Sequence, residues 1–158
     1  MSTEKQIVKN LSLIAARCKV SLEEKDGVYV IESDRLKIKV VIHPKWVGID
    51  LGVDVDGYML RYWTDTDHYD VDNSKEAWFR EDIALDINAI LSSFLSGNFL
   101  VGTYKNRPSM VFPTNEGAIR SISKDRFLGA IGIGTGSSRP FDSIEEASSD
   151  GSYSPLKI

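Results

Sequence analysis

Histidine and cysteine are scarce in this chain: 158 residues hold one cysteine, Cys18, and two histidines, His43 and His68. A single cysteine excludes an internal disulfide and gives no sign of an oxidising compartment. No apolar run approaches the roughly 18 residues that a membrane-spanning helix needs. The opening residues, MSTEKQIVKN, have neither an apolar centre nor a small-residue cleavage site, so they do not read as a secretory signal. These absences lead to the expectation of a cytoplasmic protein. Lysines and arginines form no cluster, and a nucleic-acid binder would show a basic stripe, so no nucleic-acid partner is expected. No internal repeat is visible.

What the chain does have is localised acidity. The net charge is −4. Residues 1–49 carry +3, and residues 50–72 carry −6, from seven aspartates against Arg61. Four of those aspartates, Asp65, Asp67, Asp70 and Asp72, crowd the stretch RYWTDTDHYDVDNSKE at 61–76, which also holds His68 and ends on Glu76.

Apolar residues at helical spacing predict an amphipathic helix over 4–18, with Ile7, Leu11, Ile14, Ala15 and Cys18 on one stripe. Cys18 therefore reads as a small packed side chain and not a reactive thiol. A run of strands follows. Asp26-Gly27 and Asp56-Gly57 suit the two positive φ angles of a tight hairpin, and His43-Pro44-Lys45 breaks the chain between them. The predicted strands are 28–33, 36–42, 46–55 and 58–63, preceded by a short one before Asp26. Every connection is too short for a parallel crossover, so they form an antiparallel meander of about five. A two-residue loop at Asp56-Gly57 sets Val55 opposite Tyr58, Val53 opposite Leu60 and Leu51 opposite Tyr62. With Tyr29, Ile31, Leu36, Ile38, Val40, Val47 and Ile49, these make a continuous apolar face. The other face carries Glu32, Lys37, Lys39, Asp50, Asp54, Met59, Arg61 and Trp63.

Residues 75–96 predict a long helix that covers this face, capped by Asn73 or Ser74 and stopped by Gly97. Strands near 98–105, 109–113 and 117–123 follow, with Arg107-Pro108 in a connecting turn. The fold class is α+β, with residues 1–128 as one domain. From Gly129 the chain turns rich in glycine, serine and acid, which predicts a poorly ordered tail over 129–158.

No motif declares a cofactor, and none is expected. The glycines at 129, 132, 134 and 136 lead to Ser137 and lack the lysine of a phosphate-binding loop. An EF-type calcium loop beginning at Asp65 fits Asp67 and Glu76 at its third and twelfth positions. It then places Tyr69 and Asp70 where an oxygen ligand and the turn glycine belong. Beginning at Asp70, the turn position falls on Lys75. Both registers fail where backbone geometry matters most. If catalysis occurs, His68 with Asp65, Asp67 or Asp70 is the one dense cluster for a hydrolytic or metal-assisted enzyme. A third option is a regulatory domain holding a small ligand between sheet and helix.

The aspartates run from that loop back onto the strand before it, interleaved with Trp63, Tyr69 and either Tyr58 or Trp78. Aromatic anchors amid charge of one sign suit an interface with a basic protein. The expected contact residues are Asp50, Asp54, Trp63, Asp65, Asp67, His68, Tyr69, Asp70 and Asp72. A small acidic domain with this helix, meander and covering helix over residues 4–123 resembles bacterial immunity proteins that neutralise secreted toxins. The resemblance implies a non-enzymatic antitoxin whose partner is a basic cognate toxin. The element order is also similar to type III secretion chaperones, whose third helix has no counterpart in the Gly/Ser-rich tail. Calcium titrated into the protein should give no saturable heat and leave the melting temperature unchanged; a binding isotherm would restore the metal loop.

Overall fold

A computed structural model describes residues 1–66, 77–115, 117–123, 135–141, 144–148 and 152–158. The chain opens with α1 (Thr3–Cys18). Ser2 caps it by accepting from the Lys5 backbone N–H at 3.3 Å, and Lys19 ends it in a left-handed conformation with φ 57°. The meander follows as β1 (Glu23–Lys25), β2 (Val28–Glu32), β3 (Leu36–His43), β4 (Trp46–Val55) and β5 (Tyr58–Asp65), paired in sequence order. Both Asp-Gly hairpins form as expected, with φ 52° and 80° at Asp26-Gly27 and 54° and 84° at Asp56-Gly57. The expected register is also observed: Val55 pairs Tyr58, Val53 pairs Leu60 and Leu51 pairs Tyr62.

Next, α2 (Ala77–Ser96) leads to β6 (Leu100–Tyr104), β7 (Arg107–Thr114) and β8 (Gly117–Ser123). The expected cap at Asn73 or Ser74 lies outside the described residues. Gly97 ends the helix with φ 80°. The turn between β6 and β7 is not at Arg107-Pro108. It is at Lys105-Asn106, with φ 49° and 62°, and Arg107 and Pro108 are strand residues facing Tyr104 and Thr103. Pro108 is tolerated there because β8 pairs with β7 only from Ser109 onward, so no ladder on that side needs its missing N–H.

Three pieces of the Gly/Ser-rich segment take part in the fold. They are β9 (Thr135–Phe141), α3 (Ile144–Ser148) and β10 (Tyr153–Pro155). They complete a second antiparallel sheet in the order β10-β6-β7-β8-β9. The end of the chain is held by burial, which its composition hides: Leu156 is 5% exposed, and its N–H donates to the Phe99 carbonyl at 2.8 Å.

One core joins these layers. The inner face of the first sheet, α1 and α2 share a cluster with Phe99, Met110, Phe112 and Ile119. At its centre four rings follow one another, with Phe94 to Phe99 at 4.2 Å, Phe99 to Phe112 at 5.2 Å and Phe112 to Tyr62 at 5.0 Å between centroids. Asn10, though buried, donates to Asn88 at 2.7 Å and Ser92 at 3.1 Å, which aligns α1 on α2. Arg80 of α2 donates to the His43 carbonyl at 2.7 Å and to Glu4 at 2.8 Å, tying helix, helix and β3–β4 turn together. On the far side of the second sheet Leu100, Val111, Ala118 and Ile144 form a smaller cluster.

Phe112→Ala should lower stability by about 3–5 kcal/mol, and Leu156→Ala by about 2–5 kcal/mol, in denaturant titrations. A wild-type midpoint for Leu156→Ala would show that the end of the chain is not built into the core.

Candidate functional site: the outer face of the first sheet

The outer face of the first sheet is set by parity. Leu51, Val53, Val55, Leu60 and Tyr62 point inward, so their neighbours point out. Three cross-strand rows matter. The first runs Val28, Val41, Gly48, Asp65. The second runs Val30, Lys39, Asp50, Trp63. The third runs Glu32, Lys37, Gly52, Arg61. Trp46 pairs with His43 beyond the first row.

Gly48 opens a trough in this face. The hollow has a volume of about 400 Å³, and Val41, Trp46, Gly48, Asp50, Trp63 and Asp65 line it together with Lys39 and Arg61. Trp46 and Trp63 stand at its two ends. Position 46 lies four residues along β4 from Asp50, the partner of Trp63, so the ends are roughly 13 Å apart at strand rise. Gly48 is required by the close approach of β5: a Cβ there would lie 2.6 Å from the Asp65 Cβ and 3.1 Å from the Thr64 carbonyl oxygen. Val41 is only 4% exposed although it sits on the outer face, so the floor is apolar and covered. A second hollow, floored by Gly52 and lined by Lys37, Lys39, Asp50, Met59 and Arg61, adjoins it.

Trp63 is 65% exposed, on the open side of a strand. Asp50 accepts from Arg61 at 2.8 Å, the diagonal pair that the register implied. Asp54 receives the Gly57 N–H at 3.3 Å and so closes the hairpin. Lys37 reaches Glu32 at 3.9 Å. The Lys39 ammonium has no ion-pair partner among the described residues. The face is therefore mixed in charge. Lys37, Lys39 and Arg61 dilute the aspartates, because register brings β3 beside the acidic part of β4.

Of the expected contact residues, Asp50, Trp63 and Asp65 line the same trough. Asp54 lies on the same face toward the hairpin and does not line it. Asp67, His68, Tyr69, Asp70 and Asp72 lie outside the described residues, and with them all but Asp65 of the expected catalytic cluster. Tyr58 is half-buried on the inner face, and Trp78, 67% exposed, belongs to α2. Neither lines the trough. Trp46, Gly48, Val41 and Lys39 were not among the expected contacts. Counting back by twos from Asp54 through Asp50 reaches Gly48 and Trp46, so parity carried that signal. His43 is engaged in its turn, its Nδ1 accepting the Lys45 N–H at 3.1 Å. Among the described residues no group of three or more His, Cys, Asp or Glu side chains could hold a metal ion.

In comparisons with known proteins the chain matches no family model, no curated protein and no solved structure.

Gly48→Ala should cost about 1–3 kcal/mol, because the strands cannot separate to admit the methyl group. Trp63→Ala should change stability by less than about 0.5 kcal/mol, because the indole supports little of the fold. Thermal melts of the two variants check both, and a large loss for Trp63→Ala would make the ring a structural element.

Proposed function

We propose that this chain is a non-enzymatic protein-binding domain that docks a basic protein on the outer face of its first sheet, as an immunity protein does with its toxin. The exposed indole of Trp63 carries this reading. Folding does not explain a tryptophan placed in solvent on a strand whose inward residues, Leu60 above all, pack on the core, whereas interface hot spots are enriched in this side chain. The surrounding geometry supports it: a broad sheet face, a concave apolar floor and a second tryptophan at the far end of the trough. Asp50 and Asp65 line the trough with the ring, Asp54 lies on the same face toward the hairpin, and the sequence continues into Asp67, Asp70 and Asp72. The acidic excess of residues 50–72 would speed encounter with a basic partner and make binding sensitive to salt.

Tagged protein should capture, from the cells that produce it, a protein with a strongly basic isoelectric point. Trp63→Ala should weaken that complex by about 2 kcal/mol or more, roughly thirtyfold in Kd. The double substitution Asp54→Lys and Asp65→Lys should slow association and reduce its salt dependence, measured well below a melting temperature that falls with loss of the Asp54–Gly57 hydrogen bond. If the captured protein is toxic when expressed alone and co-expression of this chain relieves it, the antitoxin role follows. An acidic partner, or capture that survives all three substitutions at low salt, would overturn the reading.

A further inference from the structure

The Gly48 trough has a chemistry of its own, which goes beyond docking of a basic protein. Its volume of about 400 Å³ lies in the range of small-molecule sites, and such sites combine apolar walls with a few polar groups. Here the apolar walls are the two indoles, with Gly48 and the nearly covered Val41 at the floor. The polar groups differ in how far they are committed. Asp50 already holds Arg61, at 2.8 Å. Asp65 is engaged in an interaction of its own. Arg61 uses one guanidinium nitrogen on Asp50 and has further N–H donors. Lys39, two positions from Val41 on β3, lines both hollows, and its ammonium has no ion-pair partner among the described residues. The uncommitted charge at the trough is therefore positive, although the surrounding segment is acidic.

We propose that the trough is a binding site for a small organic anion with a flat apolar body, such as an aromatic carboxylate. The body would lie over Gly48 and Val41 between the indoles of Trp46 and Trp63. The carboxylate would face Lys39 and the outer N–H groups of Arg61. A cation of the same shape would meet Lys39 and Arg61 at that end and find Asp50 already paired.

Benzoate and benzamidine share an aromatic body and carry opposite charges, so they form a matched pair of probes. The indole N–H signals of Trp46, Trp63 and Trp78 can be assigned by single Trp→Phe variants and followed by NMR. Benzoate should move the Trp46 and Trp63 signals saturably and leave Trp78 in place, and benzamidine should bind at least about tenfold more weakly. Lys39→Met should weaken benzoate by about tenfold, and Lys39→Glu should reverse the preference between the probes. Lys39 is exposed, so both variants keep the fold. Equal or stronger binding of benzamidine, no saturable shift, movement of Trp78 alongside the others, or an unaltered benzoate affinity in Lys39→Met would each overturn the proposal. Benzoate binding is read on the purified protein with no partner present and partner capture with no benzoate present, which keeps failure here distinct from failure of the protein-binding reading.

Discussion

The ring series Phe94, Phe99, Phe112 and Tyr62 is the contact on which the architecture turns. It draws one member each from α2, the α2–β6 link, β7 and β5, so a helix and both sheets meet in it. Centroid separations of 4.2 to 5.2 Å are those of rings in direct contact, and stacked or edge-on aromatic pairs add to the stabilisation that burial alone supplies. Its consequence reaches the surface. With Tyr62 fixed inward against Phe112, strand alternation turns Arg61 and Trp63 outward. The candidate site is thus a by-product of where the core anchors β5.

The outer face then owes its character to pairing between strands. Gly48 lets β5 approach β4 closely and leaves a gap in the side-chain layer. Val41 and the two tryptophans border that gap. Lys37 and Lys39 arrive from β3 in register with Gly52 and Asp50. An apolar hollow, a committed Asp50–Arg61 pair and an uncommitted lysine result from the register of three consecutive strands. Exposed ion pairs such as Arg61–Asp50 contribute little to stability, so their value here lies in holding side chains in place around the trough.

Much of this was legible beforehand, for physical reasons that can be named residue by residue. Asp26-Gly27 and Asp56-Gly57 are strong local signals, since few residue pairs accept two positive φ angles, and each fixes the register of its hairpin. Given that register, the inward set from Tyr29 to Tyr62 and the outward set from Glu32 to Trp63 follow by counting. Lys105-Asn106 was missed because lysine carries no turn signal and Pro108 drew the turn toward itself. The placement of Leu156 was missed because one apolar residue in a polar segment has no periodicity to declare it. Trp46 begins its strand beside a proline turn, where the local signal is the chain break, and its pairing with His43 fixes the face on which it joins the trough.

By itself the sequence determined the α+β class, the hairpins, the register of the first sheet and which side chains leave it outward. All of these depend on local backbone preferences and on a period of two. Tertiary structure decided that Met110 and Phe112 of the second sheet join the helices over the inner face, and how that sheet recruits the end of the chain. Those outcomes depend on contacts between residues far apart in the chain, where volume and burial choose the partner and no short-range pattern records the choice.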